Sequence, residues 1–217
     1  MKTVHVLVEG ATEEGFVKHI LLPHLAQHDI WVNPVIVTTK RVKSGPNFKG
    51  GITSYERVRD DARRLLGDTS ARLVTTLIDY YGLPDEFPGR PTATGTPHRK
   101  VASVESAFQA DINHPKFHAY LSLHEFEALL FAAPDEIARA LNDQSKQGVL
   151  QGIRDGFRTP EEINDNPATT PSRRIIGCFP RYNKVYFGSV IARRIGLARL
   201  REECPHFNDW VNRLERV

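Results

Sequence analysis

Cysteine, methionine and tryptophan are scarce in this chain, with two, one and two copies in 217 residues. Cys178 and Cys204 lack metal-ligand spacing, and a chain of this length does not depend on disulfide stapling. Both are expected to be idle or packed thiols. No run of about 18 apolar residues occurs, so no ordinary membrane-spanning helix is expected. The opening MKTVHVLVEG has neither the long apolar region nor the cleavage site of a signal peptide, so a cytoplasmic location and no membrane partner are expected. An excess of one charge is also missing: 29 Lys and Arg face 26 Asp and Glu, and a net charge of +3 is too small to mark a nucleic-acid binder by itself. Gly-x-x-x-x-Gly-Lys-Ser/Thr, Gly-x-Ser-x-Gly and His-Glu-x-x-His are all absent. Their absence argues against nucleotide hydrolysis without a second chain, and against serine-hydrolase or zinc-protease chemistry.

What is present is the balance of a globular protein, 40% hydrophobic and 25% charged. Thr3 to Val8 is an apolar, β-branched run that stops at Glu9-Gly10. The segment that follows has helical periodicity through Phe16, Ile20, Leu21 and Leu25, with Thr12 as its expected N-cap and Pro23 expected to interrupt it. A second strand is predicted over Val32 to Thr38, with Pro34 placed early in it. A breaker-rich loop, expected to be mobile, runs from Lys40 to Gly51. Thr53 and Glu56 fit a capping box for a helix reaching Leu66, and Arg72 to Ile78 reads as a third strand that stops at Asp79. After a Pro- and Gly-dense stretch, His98 to Asp111 reads as a helix. Phe117 to Leu123 reads as a fourth strand leading into the helical block His124-Glu125-Phe126-Glu127.

This βαβαβαβ order predicts an α/β fold, a mainly parallel four-stranded sheet with helices on both faces. Residues 1–133 form its core. Residues 134–217, polar and helical with start signals at Pro134-Asp135, Thr159-Pro160 and Asp209, are expected to be a C-terminal helical appendage packed on that core as one folding unit. Parallel strands gather their carboxyl ends, and three of the four predicted strands end in acid: Glu9, Asp79, and Glu125 with Glu127. Carboxylates crowded this way repel one another and raise their own pKa values unless a cation intervenes. An all-oxygen donor set points to Mg²⁺ or Mn²⁺ and not to structural zinc. Any one of these acids is also what a strand-to-loop junction or a turn cap commonly carries, and only their joint placement favours a site.

Val8-Glu9-Gly10-Ala11-Thr12-Glu13 resembles the first motif of Toprim domains, in which a glutamate ends the first strand and a glycine allows the tight turn into the first helix. The second Toprim motif is Asp-x-Asp after the third strand. Here Asp79-Tyr80-Tyr81-Gly82 keeps the first Asp and has Tyr81 in place of the second, which leaves the missing position to Glu13, Glu125 or Glu127. The whole chain resembles a bacterial Toprim-like family of unknown function, related to the Toprim part of overcoming-lysogenization-defect nucleases. The resemblance rests on Glu9-Gly10-Ala11-Thr12-Glu13, Asp79-Tyr80-Tyr81-Gly82 and His124-Glu125-Phe126-Glu127-Ala128-Leu129-Leu130-Phe131. Pro171-Ser172-Arg173-Arg174, Tyr182-Asn183-Lys184 and Cys204-Pro205-His206-Phe207 extend it. It implies a Mg²⁺-dependent nuclease, or nuclease-like effector, acting on DNA or RNA, with a partner ATPase of the ABC type and a role in phage defence. Its alternative is a non-catalytic binding or regulatory module for such an ATPase. The expected metal ligands are Glu9, Glu13, Asp79, Glu125 and Glu127. Lys184 or Arg174 is expected to stabilise transition-state charge, His124 is a candidate base, and Tyr80-Tyr81 could stack on a nucleobase. Lys40 to Lys49, His98 to Lys100 and Lys184 are expected to border the acidic site.

Overall fold

The computed structural model describes residues 1–40, 48–49, 52–164 and 168–217. Its centre is a parallel sheet of β1 (Lys2–Val8), β2 (Ile30–Ile36), β5 (Ala71–Asp79), β6 (Phe117–His118) and β7 (Leu121–Ser122). The strand order is β2-β1-β5-β6, and β7 continues alongside β5. A separate antiparallel pair joins β3 (Thr38–Lys40) to β4 (Phe48–Lys49).

The predicted sheet is therefore found, with five strands in place of four. The fourth predicted strand splits because Thr76 Oγ1 donates to the Tyr120 carbonyl at 2.6 Å and accepts from Tyr120 N–H at 3.0 Å. A side chain thus replaces the main-chain ladder between β6 and β7. The outer side of that broken strand is covered by α4 (Pro97–Ile112), whose Gln109 bonds Phe117 and Ala119 and whose Glu105 accepts from Leu121 N–H. An edge that would otherwise recruit strands is closed in this way. Pro34 lies well inside β2, not early in it. It is tolerated because β2 is the edge strand and pairs with β1 alone.

Period-two alternation assigns each strand residue to one of two cores. Val4, Val6, Val8, Leu73 and Leu77 face one side, and Leu7, Val74 and Ile78 face the other. On the first side lie α1 (Ala11–Phe16), the π-helical turn Val17–Leu21, α2 (Leu22–Leu25) and the later helices. On the second lie α3 (Tyr55–Leu66) and α4. The π turn sits just ahead of Pro23. A missing N–H and a ring clash one turn back are relieved by widening the helix, so the expected interruption appears as a change of pitch.

The C-terminal helices are α5 (Pro134–Ala140), α6 (Gln147–Asp155), α7 (Pro171–Cys178), α8 (Lys184–Ile195), α9 (Leu197–Glu203) and α10 (Pro205–Glu215). They share one hydrophobic cluster with β1 and α1: Phe207 lies edge-on to Phe16 at 5.8 Å, and Trp210 Nε1 donates to Thr75 Oγ1 at 3.0 Å. Several helix starts differ from expectation. Gly10, not Thr12, caps α1, and Thr12 is buried in its first turn. Ser54 precedes α3 in place of the Thr53 box. Phe126–Ala132 is a 3₁₀ helix, Thr159-Pro160 opens only the 3₁₀ turn Pro160–Glu162, and Asp209 lies inside α10, which starts at Pro205. At Gly10, Pro160 and Pro205 the fixed or permissive backbone of a Pro or Gly set the boundary against a competing side-chain signal. Of the loop expected between Lys40 and Gly51, residues 41–47 and 50–51 lie outside the described residues.

Candidate metal centre

Val8 of β1 pairs in register with Leu77 of β5, so the residue after Val8 lies beside the last residues of β5. Glu9 and Asp79 are thus neighbours by sheet register alone, and Asp79 N–H donates to Glu9 Oε2 at 3.3 Å. The chain leaves β1 toward β2 on one side and reaches β5 on the other, so this point is where strand order reverses. That reversal is the crevice at which open α/β sheets place ligands. Glu13, at the third position of α1, is buried and accepts from Gly10 N–H at 2.9 Å. The turn after β5 is laced to the segment following β7, because Tyr80 N–H donates to the Ser122 carbonyl at 3.0 Å and Tyr81 N–H to that of His124 at 3.2 Å. This lacing brings Glu125 and Glu127 to the same end of the sheet. A Cβ on Gly82 would stand 3.4 Å from Glu9 Oε1, so the glycine of Asp-Tyr-Tyr-Gly lets the turn close against that carboxylate.

The N-terminus of α8 completes the arrangement. Asn183 caps it by accepting from Tyr186 N–H at 3.1 Å, and Lys184 stands in its first turn. The helix is set close to α1 and the 3₁₀ helix: a Cβ on Gly188 would lie 2.9 Å from Thr12 Cγ2 and 3.4 Å from Phe126 Cε1. Gly188→Ala is therefore expected to lower stability by about 1–2 kcal/mol, although alanine is the better helix former. Thermal denaturation of the purified variant checks this.

Burial and mutual repulsion dominate the electrostatics. Asp79 is pushed well above the ordinary range by burial and then by the charges of Glu9, Glu13, Glu127 and Glu125. Glu9 is pushed up to about 7 by burial and by Glu13, against the lowering effects of the Asp79 N–H bond and of Lys184. Glu127, 1% exposed, is also pushed up to about 7, by burial first, with Lys184 opposing and Glu125 reinforcing. Burial raises Glu13 too, against its hydrogen bonds and Lys184. Burial pulls Lys184 down, but Glu127, Asp79, Glu13 and Glu9 outweigh it and leave the amine above its usual value. Tyr182 lies in the same field, its phenol pushed up by burial and by Glu127 and Glu125. Apart from the Tyr182-Asn183-Lys184 motif, nothing local to Tyr182 marks this place.

Two buried carboxylate oxygens, Asp79 Oδ1 and Glu127 Oε1, have no hydrogen bond of ordinary length among the described residues, although the Tyr182 phenol lies near enough to Glu127 to act on its carboxylate. A buried ionised oxygen without a partner is costly; protonation relieves that cost, and so would a hard cation. No three of these acids bring ligand atoms within 4.8 Å of one another; among the described residues only His24, His28 and Glu215 do so. An ion held at this spacing would have to keep several waters and take only one or two of the carboxylates.

Other expected site residues are placed elsewhere or otherwise engaged. Glu125 Oε2 accepts from Ser172 N–H at 3.0 Å, which ties it to the start of α7. His124 is buried, with Nδ1 3.3 Å from Asn164 Nδ2. Arg174 Nε donates to the Thr169 carbonyl at 2.7 Å and its guanidinium covers Phe157. His98 lies 3.5 Å from Glu162 and edge-on to His206. Arg90 covers the Tyr80 ring at 5.3 Å, which leaves Tyr81, 39% exposed, as the aromatic open to a ligand.

The family described as "Domain of unknown function (DUF4276)" matches residues 8–215. No curated protein matches the sequence. Among solved structures, the C-terminal region of the Burkholderia pseudomallei OLD protein is similar at 17% identity and a TM-score of 0.42, covering 97% of this chain and 99% of that one. The C-terminal region of the Xanthomonas campestris pv. campestris OLD protein is similar at 14% identity and a TM-score of 0.40, covering 96% of each chain.

Proposed function

The chain belongs to the DUF4276 family, and from that premise we propose that it is a Toprim-like, Mg²⁺- or Mn²⁺-dependent nuclease, or nuclease-like effector, acting on nucleic-acid phosphodiesters. The observation that carries the reading is the pair of buried oxygens without an ordinary hydrogen bond, Asp79 Oδ1 and Glu127 Oε1, inside a cluster of mutually repelling carboxylates at the strand-order reversal. When bound, the ion supplies an activated water and neutralises charge on the scissile phosphate. Asp79 and Glu127 would hold it, and the Asp79 N–H bond would orient Glu9 toward it. Glu13 adds negative potential from the first turn of α1. Lys184, on the rim, faces the extra charge that the phosphate gains in the transition state. Tyr81 offers a base-stacking face beside the metal.

The alternative, a non-catalytic binding or regulatory module for a partner ATPase of the ABC type, is favoured by Tyr81 standing where Toprim domains place a second Asp, and by the wide spacing of the acids. Phage defence is the biological setting proposed for both. Incubation of the purified protein with plasmid, single-stranded DNA and RNA in Mg²⁺ or Mn²⁺, beside Asp79→Ala, separates the two. Cleavage by the wild type alone supports the nuclease. Binding without cleavage, or no binding, supports the module. Nucleic-acid binding is expected to weaken steeply with salt, as each phosphate neutralised by Lys or Arg releases counterions. A filter-binding series at rising ionic strength measures the slope.

A further inference from the structure

His24 belongs to α2, and His28 ends the 3₁₀ turn Ala26–His28 that continues it. Four residues apart on one continuous helical segment, the two imidazoles project to the same side, with ring centroids 5.2 Å apart and tilted by 52°. Glu215, the last residue of α10, comes up against them from the opposite end of the chain, with Oε1 2.6 Å from His24 Nε2. One ligand atom from each of the three lies within 4.8 Å of the others. The carboxylate is itself held in place: Arg201 Nη1 donates to Oε1 at 2.5 Å and Nη2 to Oε2 at 3.3 Å, while Asn208 and Asn212 fix the same guanidinium at 2.8 and 2.7 Å.

An ion pair between His24 and Glu215 accounts for two of these residues. It does not account for the second imidazole, which would repel the first if both were protonated. We propose that His24, His28 and Glu215 form a binding site for a borderline transition-metal ion, Zn²⁺ above all, that joins the first helical layer to the C-terminal helix. Two imidazoles and one carboxylate are a zinc donor set, whereas Mg²⁺ takes oxygen ligands. Zinc-ligand distances of about 2.0–2.2 Å require only side-chain adjustment from the present spacing, and exposed His28 leaves room for a water as fourth ligand. Arg201, bonded to both oxygens of Glu215, holds the carboxylate in its orientation toward the two imidazoles. The site is separate from the carboxylate cluster at the strand ends and does not depend on that cluster's function.

The test is a calorimetric titration of Zn²⁺ into the full chain, with Mg²⁺ in excess to occupy the carboxylate cluster, together with thermal melts. One Zn²⁺ per chain is expected, with a raised melting midpoint, because the ion ties residues 191 positions apart in sequence. His28→Gln, an exposed change that leaves the fold intact, is expected to weaken Zn²⁺ binding more than about tenfold and to erase the midpoint shift, while Asp79→Asn retains both. Co²⁺ in place of Zn²⁺ should give visible d–d absorption that His28→Gln loses. Absence of Zn²⁺ binding, unchanged binding in His28→Gln, or binding lost in Asp79→Asn but kept in His28→Gln would overturn the assignment. The last result would place the ion in the carboxylate cluster instead.

Discussion

Asp79→Asn should leave the metal-free protein as stable as the wild type, or more so, and should remove nearly all of the stabilisation that Mg²⁺ or Mn²⁺ confers. Burial and the charges of Glu9, Glu13, Glu127 and Glu125 hold the Asp79 carboxyl well above its ordinary range, so the folded protein without metal disfavours its ionised form. An asparagine imitates the neutral carboxyl in shape and removes that penalty. A bound ion reverses the balance. At a free-metal concentration about one hundred times Kd, occupancy adds roughly 2.7 kcal/mol, which for a domain of this size is a rise of about 5–10 °C in Tm. Differential scanning calorimetry of both proteins, with and without metal, measures the four values needed. If Asp79 were only a turn cap, the substitution would shift Tm by the same amount in all conditions, and the metal assignment would be withdrawn.

The second large effect is a pH dependence of opposite sign to ordinary acid denaturation. Glu127 is held at about 7 in the folded chain, against an ordinary value of 4.5. Between those two values the unfolded chain has lost a proton that the folded chain keeps, so stability falls as pH rises through the window. Below 4.5 the penalty is gone, and above 7 it is fully present. A displacement of this size corresponds to about 3 kcal/mol. Glu9 titrates in the same window and is coupled to the same cluster, so the two effects are shared and do not simply add.

Several other groups titrate near this range. His206, where burial lowers the value but the Glu105 hydrogen bond and charge outweigh it, acts in the same direction as Glu127. His98 and His118, both lowered by burial, act against it. Asp68 is held down to about 2 by Ser70 and His5 and contributes only in strong acid. Urea denaturation of the metal-free protein between pH 8 and pH 5 should therefore show rising stability toward pH 5, and Glu127→Gln should flatten most of the slope. Mg²⁺ should reverse the trend, because protons compete with the ion for the same oxygens and apparent affinity falls below pH 7. A metal-free protein most stable at pH 8, with Glu127→Gln no different from the wild type, would remove Glu127 from the site.

The sheet and the neighbourhood of Glu9 and Asp79 were legible in the residues. A β-branched run that ends in Glu-Gly, and another that ends in Asp, read as parallel strands. Their hydrophobic alternation then fixed which side of the sheet each residue packs on, since a slip of one residue would turn Val6 or Leu77 to the wrong core. Chain order and right-handed crossovers sufficed to bring the strand ends together. The same one-dimensional reading misplaced Thr12, Thr53 and Asp209 as helix starts, because Gly10, Pro205 and the packing of α3 decided those boundaries.

Within the acidic set the sequence could not rank the members. Glu125 and Glu127 are two residues apart in one motif. The 3₁₀ turn, a product of packing beneath α8, buries Glu127 with an oxygen that makes no ordinary hydrogen bond and gives Glu125 to the backbone of Ser172. Lys184 and Arg174 looked equivalent as basic residues, yet the tight approach of α8 through Gly188 brings the charge of Lys184 onto the cluster, while Arg174 bonds Thr169. The meeting of His24 and His28 with Glu215 had no local signature, since their partners are separated by nearly the whole chain. Strand order and face follow from local period and connection rules, which the sequence carries in neighbouring residues. Desolvation, the pairing of each oxygen and the approach of distant helices depend on what fills the space around a side chain, and only the folded chain decides that.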